Sequence, residues 1–185
     1  LIGTTTKKLL LMRHAKSDWN DTGLSDVDRP LNARGRSAAP TMGKWLLAND
    51  MLPDEIVCST AVRTRQTLEL LIECWSQERK DRQQEDSRRN KPEIVFMDDL
   101  YLAPALRILT IASKHTSKSC VMVLGHNPGM EEVASYLGQS PVHMPTAAIA
   151  ILESTGRNWP EDWLQASSWN WRGLVKPRDL GSQTI

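Results

Sequence analysis

Short apolar runs alternate with longer amphipathic stretches along nearly the whole chain, and few folds accommodate that order. Lys8–Met12, Glu55–Cys58, Glu93–Met97 and Cys120–Leu124 each read as a buried strand. Between them, Ala33–Asn49, Ala61–Gln77 and Ala103–Lys114 carry apolar residues at helical spacing. Met42, Trp45, Leu46 and Met51 line one such face, and Leu68, Leu71, Ile72 and Trp75 another. A further helix is expected near Met130, and Ala147–Glu153 and the tryptophan-rich Trp163–Val175 are expected as later strands. Strand–helix alternation predicts an α/β fold, a three-layer α/β/α sandwich around a largely parallel sheet. Ligands of such sheets gather at the carboxyl ends of the strands.

At 185 residues the chain is expected to form one domain over 1–185. Gln77–Lys91, "QERKDRQQEDSRRNK", has no apolar residue and reads as a solvated helix extension or a disordered insertion. Lys and Arg number 23 against 22 acids, a net charge of +1, which argues against a nucleic-acid or membrane surface as partner. No apolar run approaches the roughly 20 residues of a membrane span, and no signal peptide is visible. The three cysteines, Cys58, Cys74 and Cys120, are odd in number and lack metal-ligand spacing. Cys58 and Cys120 lie in strand-like apolar runs and read as buried thiols rather than bridges, which fits the cytoplasm or another reducing intracellular compartment. The four histidines form no zinc pattern, and no cofactor is implied. His115 and His143 read as structural or surface residues.

The chemistry lies just beyond the strand ends. "LLLMRHAKSDWN" sets Arg13 beside His14 at the tip of the first strand, two basic groups that repel each other unless something negative is expected there. "STAVRTRQT" comes after the second strand and brings Arg63 near a helix start. "GHNPG" comes after the fourth and brings His126 there as well. If these strands are neighbours, two arginines and two histidines meet at one rim, joined by helix N-terminal N–H groups. That set suits a phosphoryl group, whose oxygens match the arginine fork. His14 could attack phosphorus through one ring nitrogen. A fixing acceptor, a backbone carbonyl, would then hold the other nitrogen and set the tautomer. His126 would donate to the equatorial oxygens, and no metal is needed to supply positive charge.

"MRHAKSDWN" resembles the Arg-His-Gly motif of the histidine phosphatase superfamily, whose fold is phosphoglycerate-mutase-like. "RPLNARG" (Arg29–Gly35), "CSTAVRTRQT" (Cys58–Thr67) and "LGHNPGMEEVA" (Leu124–Ala134) are similar to its later blocks, in the same order. "DRPLNARG", "GHNPG", "PTAAIAILE" (Pro145–Glu153) and "KPRDL" (Lys176–Leu180) resemble more narrowly the small capless branch typified by SixA phosphohistidine phosphatases.

The resemblance implies that His14 is the phosphorylated nucleophile and that Arg13, Arg63 and His126 form the phosphate pocket. It implies that Asn20 contacts substrate phosphate as in mutase-type members, and that Arg29 faces the pocket or pairs with Asp26 or Asp28. Two departures stand out. Ala15 replaces the usual glycine after the histidine, which could restrict the backbone there. The inserted lobe that carries a general acid in larger members is missing, which leaves Asp98 or, preferably, Asp99 of "MDDLYLA" for that role. The expected activity is metal-independent phosphatase chemistry through a covalent phosphohistidine on His14, with a phosphohistidine on a protein as the substrate. A small phosphate ester is the alternative substrate, and a phosphate-binding module without catalysis is the alternative of another class. A mutase fits less well, since no lobe encloses an intermediate.

Overall fold

The computed structural model describes residues 6–81, 91–156 and 158–180. One six-stranded sheet, β1 (Lys8–Arg13), β2 (Glu55–Ser59), β3 (Glu93–Met97), β4 (Cys120–Gly125), β5 (Ile149–Ser154) and β6 (Trp169–Val175), runs in the order β3-β2-β4-β1-β5-β6. The pairs β3–β2, β2–β4 and β4–β1 are parallel, and β5 runs antiparallel to both β1 and β6. Five helices accompany it among the described residues: α1 (Ala33–Ala48), α2 (Val62–Asp81), α3 (Ala105–Ala112), α4 (Gly129–Leu137) and α5 (Pro177–Leu180). The architecture is the expected α/β layering around a largely parallel sheet.

The unbroken apolar runs reflect cover on both faces. In β1, Leu10 and Met12 join the cluster under α1 and α2 with Met42, Leu46, Leu68 and Leu71. Leu9 and Leu11 join the opposite cluster, under α3 and α4, with Ile108, Val133 and Leu137. Alternate residues thus enter separate cores, and a polar residue at either face would be buried without a partner. Among the described residues, no helix is long and apolar enough to cross a membrane.

Two strand expectations need correction. Glu93–Met97 is a strand but not a buried one. It forms the sheet edge with β2 as its partner, and Ile94 and Phe96 are 38% and 44% exposed. The Arg65 guanidinium lies over this edge, with Cζ 4.6 Å from the Phe96 ring centre. Within Trp163–Val175, the strand begins only at Trp169. Trp163 instead folds into the core, stacked on Trp159 at 4.9 Å and edge-on to Trp169 at 5.1 Å. Three large rings gain more buried area from this cluster than from alternating sides of a strand. The charged stretch begins as a helix extension, since α2 continues through Asp81, and its remainder, 82–90, lies outside the described residues. Cys58, Cys74 and Cys120 are free and buried, and burial pushes the thiols of Cys58 and Cys120 up to about 12.

Two motif glycines mark close backbone approaches. A Cβ on Gly35, in the first turn of α1, would lie 2.2 Å from the Lys16 carbonyl oxygen. One on Gly129, opening α4, would lie 2.0 Å from that of Ala103. Only glycine lets α1 and α4 sit this near the neighbouring loops.

Candidate active site

Strand order and register assemble the site. Arg13 is paired with Gly125 at the carboxyl ends of β1 and β4, and Cys58 with Leu124 across β2 and β4. The residues just beyond these pairs, His14, Ser59 and His126, therefore emerge side by side. The His14 N–H donates to the Gly125 carbonyl at 3.0 Å, and the His14 and His126 ring centres are 5.1 Å apart.

His14 is buried, and its Nδ1 lies 2.7 Å from the Ala15 carbonyl oxygen. A carbonyl only accepts, so Nδ1 carries the proton and Nε2 keeps its lone pair. Burial first, then the charges of Arg63 and Arg13, lowers the His14 pKa to about 4. The ring is neutral near pH 7, with a nucleophilic nitrogen that needs no base to expose it. Ala15 fits at the glycine position of the motif: it has a negative φ and is fully buried, and its N–H donates to Thr67 Oγ1 at 3.1 Å. Thr67 Oγ1 donates in turn to the Arg63 carbonyl at 2.7 Å, tying the His14 loop to α2.

Arg63, in the first turn of α2, is 4% exposed. Its Nη2 donates to Asp26 Oδ2 at 2.9 Å and its Nη1 to the Asp26 carbonyl. Its Cζ lies 5.7 Å from the Tyr101 ring centre, and the Tyr101 hydroxyl donates to Asp26 Oδ2 at 2.6 Å. That hydroxyl and Arg63 hold the Asp26 carboxyl below the usual carboxylate range, against the opposing effect of burial. Arg29 Nε lies 3.7 Å from Asp26 Oδ1, and its guanidinium sits 4.0 Å from the ring centre of Trp19, which is 60% exposed. The pairing of Arg29 with Asp26 is thus present, and it joins Arg29 through Asp26 to Arg63.

Arg13 is held from the other side. Its Nη1 donates to the Met144 carbonyl at 2.8 Å, which also accepts from Asn127 Nδ2 at 3.1 Å. Glu131 Oε2 accepts from the Met144 N–H at 2.7 Å and lies 3.0 Å from His143 Nδ1. The Arg13 Nε is buried without a partner among the described residues. His126 is 1% exposed, and burial, followed by the charges of His14 and Arg63, lowers its pKa to about 3. Its Nε2 lies 2.8 Å from Ser59 Oγ, while its Nδ1 is buried with no partner among the described residues. The cluster therefore combines two guanidinium groups, two neutral imidazoles and unused buried N–H capacity, an environment that stabilises an arriving dianion.

The structure brings Arg13, His14, Arg63 and His126 together and links Arg29 to them. It does not bring in the others. Asn20 lies exposed in a loop, its N–H on Asp18 Oδ1 at 2.9 Å. Asp99 pairs with Arg107, and its side chain is 55% exposed. Asp98 accepts from Thr60 Oγ1 at 2.5 Å. His115 Nδ1 lies 2.6 Å from Glu55 Oε1, a pairing outside the cluster. Sequence reasoning missed Asp26 as the anchor of Arg63, along with Tyr101, Ser59, Thr67 and Glu131. Asp26 had one visible signal, its position three residues before Arg29. The others depend on contacts between distant segments.

A model described as "Histidine phosphatase superfamily (branch 1)" matches residues 9–85. An uncharacterized chloroplastic protein of Arabidopsis thaliana is 32% identical over 182 residues, which cover 93% of this chain and 78% of that protein. The chain belongs to the histidine phosphatase superfamily. Among solved structures of this superfamily, a candidate phosphohistidine phosphatase SixA from Agrobacterium tumefaciens superposes with a TM-score of 0.74 at 26% identity, covering 93% of this chain and 99% of that one. A protein histidine phosphatase SixA complexed with tungstate shares the fold at 20% identity, with a TM-score of 0.73 over 94% of this chain and 99% of that one. Within the histidine phosphatases, the chain is of the SixA type.

Proposed function

We propose that this histidine phosphatase hydrolyses its substrate through a phosphohistidine on His14, and that the substrate is a phosphohistidine on a protein. The carrying observation is the His14 ring itself, with Nδ1–H committed to the Ala15 carbonyl and Nε2 left free beside Arg13, Arg63 and His126. The Nε2 lone pair forms a bond to phosphorus while the bond to the leaving nitrogen breaks in line. Arg13, Arg63 and His126 bear the charge on the three equatorial oxygens. Water then attacks the phosphorylated His14. The Nε2–P bond breaks with its electron pair returning to nitrogen, and inorganic phosphate leaves.

The leaving group supports the choice of substrate. Asp26, the carboxylate tied into the cluster, is held ionised and makes a poor acid. Asp99, the proposed acid, must release Arg107 before it can serve. A substrate imidazole already protonated departs as a neutral ring and asks little of either. An alkoxide asks much more. The guanidinium groups supply the positive charge, so we propose metal-independent turnover that survives exhaustive chelation. Residues 1–185 are proposed to form a single histidine phosphatase domain that carries this reaction. The test compares kcat/KM on a phosphohistidine protein, an aryl phosphate and an alkyl phosphate. The proposal expects the phosphohistidine protein to lead and the alkyl phosphate to trail. An alkyl phosphate metabolite as the best substrate would favour the small-ester reading, and no turnover of any would favour a binding module.

A further inference from the structure

His126 holds the cluster's unsatisfied ring nitrogen, and the group on its other side decides what that nitrogen can do. Neutral imidazole has one N–H donor and one acceptor. Nε2 lies 2.8 Å from Ser59 Oγ, and Nδ1 is buried without a partner among the described residues. Ser59 has no exposed surface, so its hydroxyl proton must find an acceptor inside the protein. Its oxygen already accepts a long bond from the Ala61 N–H at 3.5 Å. Imidazole Nε2 is the acceptor within reach of the remaining proton. With Ser59 donating, Nε2 is unprotonated and the ring proton sits on Nδ1. In the opposite arrangement Nε2–H and Ala61 N–H would both donate to Ser59 Oγ. The hydroxyl proton would be stranded, and a bare lone pair on Nδ1 would repel an incoming phosphoryl oxygen.

We propose that Ser59 is a positioning residue whose hydroxyl holds His126 in the Nδ1–H form, so that His126 donates a hydrogen bond to the transferring phosphoryl group. This rests on the reaction reading above for the identity of the acceptor, but the tautomer itself is a property of the free protein. The ring has neighbours on two sides, His14 at 5.1 Å and the Tyr101 edge at 5.4 Å. The hydroxyl therefore needs only to choose which nitrogen is protonated. His126 keeps that proton throughout, and no proton transfer through Ser59 is required.

Two-bond proton–nitrogen correlation spectra of the histidine rings at pH 7 read the tautomer directly. Wild-type His126 is expected as Nδ1–H, with that nitrogen shifting when orthovanadate is added. Ser59→Ala should give the Nε2–H form or a mixture, and should lower kcat on p-nitrophenyl phosphate roughly tenfold, the scale of one lost net hydrogen bond. Ser59→Thr, which keeps the hydroxyl, should retain the wild-type tautomer. A wild-type His126 protonated at Nε2 overturns the proposal even if no variant folds. So does a folded Ser59→Ala protein with unchanged tautomer. An Nδ1–H ring in a protein that never phosphorylates His14 would instead refute the reaction reading and leave the Ser59 assignment standing.

Discussion

Acidification should unfold this protein through the two buried histidines of its candidate active site. In the folded state His14 titrates at about 4 and His126 at about 3, both depressed chiefly by burial. In the unfolded chain both revert to roughly 6.5. Between those values the unfolded chain binds protons that the folded state refuses, so stability rises with pH through this window and is lost as pH falls through it. Taking the protein from pH 7 to pH 4.5 therefore costs about 2 to 3 kcal/mol for each ring by linkage. The two rings together lose a large share of the stability of a typical domain. Urea unfolding monitored by the fluorescence of the seven tryptophans, at half-unit pH steps, measures it. His14→Asn removes one titrating ring and should make the loss between pH 7 and 4.5 smaller by about 2 to 3 kcal/mol, whatever it does to stability at pH 7. Asp26 and the other carboxylates are common to both proteins and cancel in the comparison. A wild-type curve that is flat over this range, or a variant that loses as much as wild type, would refute the reasoning.

Arg63→Ala removes the buried guanidinium to which the proposed reaction assigns transition-state charge, and should lower kcat roughly 100- to 1,000-fold, more than it raises KM, in steady-state assays. It also strips Asp26 of its main cation, so Asp26→Asn should weaken the placement of Arg63 and lower kcat by a smaller factor in the same assays. Gly129→Ala drives a methyl group into the Ala103 carbonyl at 2.0 Å, a contact that backbone must move to relieve. It should cost about 3 kcal/mol in urea unfolding at pH 7.

The elements that position the site were legible because their signals are local. Leu9–Met12 shows two-sided burial as an unbroken apolar run, and Arg13, Arg63 and His126 each sit at a strand end or within a few residues beyond it. Once the sheet order β2-β4-β1 makes those strand ends adjacent, the cluster forms. The edge position of β3 was not legible, because its sequence is as apolar as that of a central strand and exposure is decided by its neighbours. Nor were the anchors. Asp26 reaches Arg63 across 37 residues and Tyr101 across 75, and Ser59 meets His126 across 67. Such pairs have no periodicity to reveal them. Asp99 shows the converse. Its place after β3 drew attention to it, while Arg107, in the first turn of α3, is the group it actually meets.

The covalent step on His14 is tested most directly by mixing the protein with a phosphohistidine protein, quenching within milliseconds without acid and weighing the intact chain. One added phosphoryl group is expected on wild type, mapped to His14, and none on a folded His14→Ala variant that also lacks turnover. Steady turnover by His14→Ala at a near-wild-type rate, or a phosphoryl group mapped to another residue, would contradict the assignment.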